Sequence, residues 1–277
     1  MRRRNGRPIR PAIAVAIVLA AALLAGCGDD DDATSDDTVT EEQTAEAKPT
    51  AYSYSGATGP ENWGSLDPEY AACSDGKEQS PIDLVDGKPS SEPTLQVSYV
   101  PAPDPEVENN GHTVEVTYPK GSTITLDGTE YSLVQFHFHA PSEHEIDRTS
   151  YPLEFHFVNA DANENLAVLG VMVTEGAENP SFTPLIDALP AKEGDTAHVS
   201  GELNAAGMLP AKPDAAERWS YDGSLTTPPC SEGVRWNVFN EPIEMSKEQI
   251  AAFTAAYDHN NRPLQPLNGR DLLLVSP

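Results

Sequence analysis

Two histidines alternate with two phenylalanines in Gln135-Phe136-His137-Phe138-His139, inside a run of strand-forming residues. Side chains of a strand point alternately to its two faces, so His137 and His139 share one face and Phe136 and Phe138 the other. One ion could take both imidazoles. About fifteen residues on, Leu153-Glu154-Phe155-His156-Phe157-Val158 repeats the alternation, with Glu154 on the face of His156. A lone strand histidine is more often a hydrogen-bonded core residue than a ligand. Burying three neutral imidazoles together is different: every ring nitrogen then needs a partner, and the intervening phenylalanines supply none. Three imidazoles with no cysteine nearby are the donor set of a catalytic zinc centre, which keeps its fourth position open for water.

Strands must position these residues. Alternating or β-branched runs occur at Thr113–Tyr118, Ser122–Leu126, Tyr131–His139, Leu153–Val158, Leu166–Val173 and Val234–Phe239, separated by Gly, Pro, Asn and Asp. Their short spacing, with little helix between them, predicts a mostly β fold with a largely antiparallel sheet. Helical signals are few. Ser246-Lys247-Glu248-Gln249-Ile250 opens as a capped helix running to about Tyr257, and Pro180–Ala188 is a shorter candidate.

The chain before about residue 51 is expected to lie outside this fold. Five arginines among residues 1–10 precede an apolar run, Pro11–Ala25, which is the layout of an export signal. The run is too short for the roughly 20 residues that span a bilayer. It ends in Leu24-Ala25-Gly26-Cys27, which resembles the lipobox of bacterial lipoproteins and implies cleavage after residue 26 and a lipid on Cys27. Residues 27–50 are acidic and almost free of apolar side chains, the composition of a disordered, self-repelling tether. Residues 51–277 then form one domain with enough apolar content for a single core.

Loss of residues 1–26 removes five arginines and no acids, leaving 12 basic against 44 acidic residues and moving the net charge from −27 to −32. Nucleic acid is thereby disfavoured as a partner, and no protein partner is indicated. Two cysteines remain, Cys73 and Cys230, and an oxidising compartment favours their pairing.

Further segments fall into place around the histidine strands: Gln79-Ser80-Pro81-Ile82-Asp83, Asn109-Asn110-Gly111-His112, Ser142-Glu143-His144, Leu166-Ala167-Val168-Leu169-Gly170 and Gly223-Ser224-Leu225-Thr226-Thr227-Pro228-Pro229. In this order, from about Tyr52 to the C-terminus, the chain resembles the α-class carbonic anhydrases. The resemblance implies a large, twisted, mainly antiparallel sheet with peripheral short helices and a conical cavity leading to zinc. It implies zinc on His137, His139 and His156, with Gln135 and Glu154 orienting the first and third of these rings. The activity implied is reversible hydration of CO2 to bicarbonate and a proton by zinc-bound hydroxide. Thr226 would orient that hydroxide, Glu143 would fix the direction of the Thr226 hydroxyl, and His112 would carry protons out. Val158, Val168, Leu225 and Trp236 would form the apolar wall beside CO2, Thr227 would contact bicarbonate, and Tyr54 would order cavity water. Ser80-Pro81 and Pro228-Pro229 would be cis.

Two positions depart from the family's animal members: Tyr52 stands where tryptophan is common, and Ala160 replaces a bulky residue after the strand of the third histidine. The main alternative is a catalytically silent zinc-binding surface lipoprotein of the same fold, usually marked by loss of a ligand. A zinc scavenger would be expected to carry a His-rich loop, yet the chain has only 7 histidines. Ester hydrolysis would be a side reaction of the same centre.

Overall fold

The computed structural model describes residues 51–276. The export signal, Cys27 and the acidic tether lie outside the described residues.

Seven strands carry the site: β1 (Glu106–Asn109), β2 (Val114–Thr117), β3 (Thr129–His139), β4 (Leu153–Ala160), β5 (Leu166–Glu175), β6 (Arg218–Ser224) and β7 (Glu232–Phe239). They lie side by side in the order β1-β2-β3-β4-β5-β7-β6 within a sheet of 13 strands. The pairings β1-β2, β2-β3, β3-β4, β4-β5 and β7-β6 are antiparallel. β5 and β7 run parallel, so the sheet is mixed, though mainly antiparallel as expected.

The expected strands all form, with ends displaced by a few residues. β3 contains a phase slip that the sequence conceals. Phe136 and Phe138 are buried on the core side, and so are Tyr131 and Leu133, which strict alternation would put on the opposite side. A register shift against Val158 and Asn159 in β4 resolves the conflict, and Val134, the extra residue, is left 45% exposed. A bulge of this kind resets which residues face inward without interrupting the strand.

One core lies under the phenylalanine face. Phe136, Phe138, Phe155 and Phe157 pack there with Phe182 and with Phe253 of helix α1 (Lys247–Ala256). The helix begins as read, with Ser246 and Gln249 capping each other's backbone N–H groups. Pro180–Ala188 instead divides into a 3-10 turn, Pro180–Phe182, and one α turn, Thr183–Ile186. Pro184 offers no N–H to a longer ladder. A second core, with Val168, Met172, Tyr221, Trp236 and Val238, lies beside the histidine face. Cys73 and Cys230 form a disulfide. The Ser80-Pro81 and Pro228-Pro229 bonds are cis, as are Glu92-Pro93 and Ala140-Pro141.

Candidate metal centre

Register brings the three histidines together. His156 in β4 is directly opposite His137 in β3, and Glu154 is opposite His139. One ring nitrogen from each histidine falls within a cluster no wider than 4.8 Å. The opposite nitrogen of each ring meets an acceptor. His137 Nδ1 lies 2.8 Å from the amide oxygen of Gln135, and His139 Nδ1 lies 2.7 Å from the carbonyl oxygen of Asn260. His156 Nε2 lies 2.9 Å from Glu154 Oε1. An acceptor obliges the nitrogen facing it to carry the ring proton, so the inward nitrogens, Nε2 of His137 and His139 and Nδ1 of His156, keep their lone pairs. Burial holds all three rings below the ordinary histidine range, His139 at about 4, which keeps them neutral. Among the described residues the buried His139 Nε2 has no hydrogen-bond partner, and the close approach of His156 Nε2 to Glu154 is not aligned as a hydrogen bond. Three convergent lone pairs, one orphaned in a buried site, are what a metal ion satisfies.

Glu154 is fully buried and uses both oxygens. Oε1 sits between His156 Nε2 and His144 Nδ1, the latter at 2.8 Å, and Oε2 accepts the backbone N–H groups of Glu143 and His144. Burial alone would raise its pKa, but the His144 and His156 rings hold it well below the usual carboxylate range. Opposite His156 in β5 stands Gly170, where a Cβ would come within 3.1 Å of Glu154 Oε1. The glycine leaves room for the carboxylate. Behind His144, the Tyr221 hydroxyl donates to His144 Nε2 at 2.6 Å and accepts from Ser80 Oγ at 2.8 Å. Since His144 Nδ1–H must face the carboxylate, each bond in this row points toward Glu154.

Glu143 approaches from the other side. Its Oε1 accepts the Arg262 backbone N–H at 2.7 Å, while its Oε2 lies 3.4 Å from His139 Nε2 and 3.9 Å from His156 Nδ1. Burial pushes this carboxyl up to about 7, against the opposing pull of His156, Thr226 and Arg262. Thr226 is thus close enough to favour the carboxylate, though Oε2 has no fully aligned hydrogen bond. Arg262 is itself buried, donating to Gln79 Oε1, Ser80 O and Cys73 O.

The expected apolar residues form one row across the sheet: Val158 opposite Val168, and Val168 opposite Trp236. Leu225 packs against the same cluster. Tyr54 has a buried hydroxyl with no partner among the described residues. Thr227 accepts the Cys230 N–H through its carbonyl. His112 stands apart from the ligands, its ring stacked on Tyr52, and burial holds its pKa below the ordinary value against the pull of Glu193.

Sequence reading gave no role to His144, Tyr221, Asn260 or Arg262. His144 carried a signal, as the neighbour of Glu143 in a quoted motif. Asn260 and Arg262 reach His139 and Glu143 through backbone atoms, which no side-chain pattern reveals.

A family model described as eukaryotic-type carbonic anhydrase matches residues 58–276. The chain is 40% identical over 223 residues to a carbonic anhydrase of Pectobacterium carotovorum, covering 80% of this chain and 90% of that protein. It is 41% identical over 232 residues to one from a Nostoc species, covering 82% and 86%. Among solved structures, the α-carbonic anhydrase of Thermovibrio ammonificans in complex with the inhibitor sulfanilamide superposes with a TM-score of 0.78 at 44% identity, covering 82% of this chain and 100% of that one. Dioscorin complexed with ascorbate superposes with a TM-score of 0.75 at 30% identity, covering 82% and 98%.

Proposed function

Since the chain belongs to the eukaryotic-type, or α, carbonic anhydrases and is therefore an enzyme interconverting CO2 and water with bicarbonate and a proton, we propose that it works with zinc on His137, His139 and His156, outside the cytoplasmic membrane. The observation that carries the metal is the convergence of three lone pairs whose opposite ring nitrogens are all turned toward acceptors. Zinc suits a three-imidazole set with an open fourth position, and when bound it lowers the pKa of a water molecule to about 7, a magnitude for which carbonic anhydrase is itself the reference case.

The protein's own residues supply orientation. Gln135, Asn260 and Glu154 hold the three rings in the tautomer and tilt that ligation needs. A cation held by the three histidines would favour the ionised form of Glu143 over the neutral acid, and an ionised carboxylate can only accept, so Thr226 donates its hydroxyl proton to it and keeps its lone pairs for an O–H on the substrate side. The row Val158, Val168 and Trp236, with Leu225, gives CO2, which has no net dipole, a surface with little to hydrogen-bond. Thr227 contacts bicarbonate, and Tyr54, whose buried hydroxyl has no partner among the described residues, orders water. His112 takes up the proton left by each hydration and passes it to solvent.

The arginine-rich start and Leu24-Ala25-Gly26-Cys27 support export and lipidation of Cys27, which would hold the enzyme at the outer side of the membrane. The silent-binder reading loses its usual support, because no member of the ligand set is missing. Metal analysis with stopped-flow CO2 hydration tests the proposal: one zinc per chain and rapid hydration are expected. Stoichiometric zinc without hydration would favour the silent binder.

A further inference from the structure

Thr226 stands in the connection between β6 and β7, and Glu143 follows β3, so nothing local fixes the distance between them. One buried dipeptide, Gln79-Ser80, reaches both sides. It grips the Thr226 loop at its two ends. The Ser80 N–H donates to Ser224 Oγ at 2.9 Å, and the Ser224 N–H donates to Ser80 Oγ at 3.1 Å. At the far end Gln79 Nε2 donates to the Cys230 carbonyl at 3.0 Å and to Glu232 Oε1 at 3.1 Å. The loop in between is closed on itself, with the Leu225 N–H on Ser231 O at 3.0 Å and the Cys230 N–H on Thr227 O at 2.8 Å. Thr226 therefore moves with those two ends.

On the Glu143 side the dipeptide holds Arg262. The guanidinium donates from Nη1 to Gln79 Oε1 at 2.9 Å and to Ser80 O at 2.8 Å, and from Nη2 to Cys73 O at 2.9 Å. It lies 5.7 Å from the centre of the Trp63 ring. The backbone N–H of the same residue is the donor to Glu143 Oε1, at 2.7 Å. Gln79 thus turns its acceptor to the Glu143 side and its donors to the Thr226 side.

We propose that Gln79 is a positioning residue for CO2 hydration: its carboxamide bridges Arg262 and Cys230 and so sets the distance at which the Thr226 hydroxyl meets Glu143. The proposal rests on the reading of Thr226 and Glu143 as the pair that orients the attacking oxygen. A hydrogen bond from hydroxyl to carboxylate weakens steeply with misalignment, so a small drift of either side is felt. An alkyl side chain at position 79 would fill the space, bond neither side and leave the buried Cys230 carbonyl without that donor. The Cys73–Cys230 disulfide braces the same gap and limits the drift. The metal side is spared. Asn260, whose carbonyl faces His139, is anchored to β3 and its end by its own carboxamide, which accepts the Ala140 N–H at 2.8 Å and donates to Phe138 O at 3.1 Å.

Four variants of the full chain test the bridge: Gln79→Ala, Gln79→Met, Glu143→Gln and the Gln79→Met/Glu143→Gln double variant. Gln79→Met keeps most of the volume while removing both polar ends, which separates the bonds from a cavity, and it carries the test should Gln79→Ala fail to fold. Both Gln79 variants should bind one zinc per chain and lower kcat/KM for CO2 about 3- to 30-fold, less than a full ångström of misplacement costs. Once Glu143→Gln has removed the contact there is nothing left to position, so Gln79→Met in that background should cost less than about twofold. A merely structural role would slow both backgrounds by the same factor. The proposal is overturned by a Gln79→Met protein that matches the parent in kcat/KM, by one that loses zinc along with its rate, or by equal fold-losses in the two backgrounds. If Glu143→Gln alone leaves kcat/KM at the parent value, the pairing reading has failed and takes the bridge with it. A slow Glu143→Gln protein with an undiminished Gln79→Met effect removes the bridge alone.

Discussion

The two faces of the β3–β4 pair are built by opposite rules. On one, Phe136, Phe138, Phe155 and Phe157 meet Phe253 and each other at centroid distances of 4.9 to 6.0 Å, and no polar atom of these side chains needs a partner. On the other, His137, His139 and His156 each turn one ring nitrogen to a specified acceptor, and Glu154 faces donors with both oxygens. Shape and buried area set the first face, and many arrangements of similar volume would satisfy it. Direction sets the second, where a ring turned the wrong way loses a lone pair rather than a fraction of contact area. Alternation lets one pair of strands carry both, so the rigid face holds the directional one in place.

If the faces are separable in this way, variants on one should change affinity and those on the other stability. The largest effect is expected from His139→Ala, which leaves two ligands: zinc affinity should fall by orders of magnitude and hydration with it, as read by metal titration and stopped flow. Full activity in the metal-depleted variant would remove His139 from the site. Phe155→Ala should destabilise the fold by about 3–5 kcal/mol in urea unfolding, while the folded fraction binds zinc as the parent does. A Phe155→Ala protein as stable as the parent but poor in zinc would collapse the distinction. Glu143→Gln retains size and the ligand set but puts a donor where Thr226 needs an acceptor. We expect stoichiometric zinc and a loss of about 10- to 1000-fold in kcat/KM, and unchanged hydration would show that Thr226 is not directed by this carboxylate.

The smallest effects concern His112, away from both faces. His112→Ala should reduce the maximal rate in dilute buffer about 10-fold and leave kcat/KM nearly untouched, with imidazole restoring the loss. Burial depresses the pKa of this ring, so as pH falls through the unfolded value near 6.5 the unfolded chain gains its proton first and stability drops, levelling once the folded ring is also protonated. The difference in stability between parent and His112→Gln should therefore be flat above about pH 7 and shift against the parent on acidification. A difference independent of pH would place the ring in solvent.

Much of this was legible because histidine and phenylalanine mark opposite faces of a strand with period two. The same rule misleads at Val134, where burial of both Leu133 and Phe136 needs a bulge that no local residue announces. Strand β6 escaped reading for another reason: covered on both sides, Arg218–Ser224 is buried at six of its seven positions and so does not alternate. The parallel contact of β5 with β7 joins residues more than sixty positions apart, beyond any window of pattern. Ligands were legible as residue types. Asn260, which faces His139, and Tyr221, which backs His144, were not, because register and loop path put them there.

The strip from Ala51 to Ser55 has a mechanical consequence. A few bonds around Ser53 secure it, namely its N–H to Thr58 O, its hydroxyl to Thr58 Oγ1 and its carbonyl to the Trp63 indole, together with the ring contacts of Tyr52. Tension applied to the backbone at Ala51 would load these contacts one after another, whereas the sheet would have to yield as a ladder. The strip should peel first, at low force, and take with it the ring beneath His112 while the three histidines stay seated in β3 and β4. Such a pull would strip the stacked ring from His112 and leave the histidine cluster untouched.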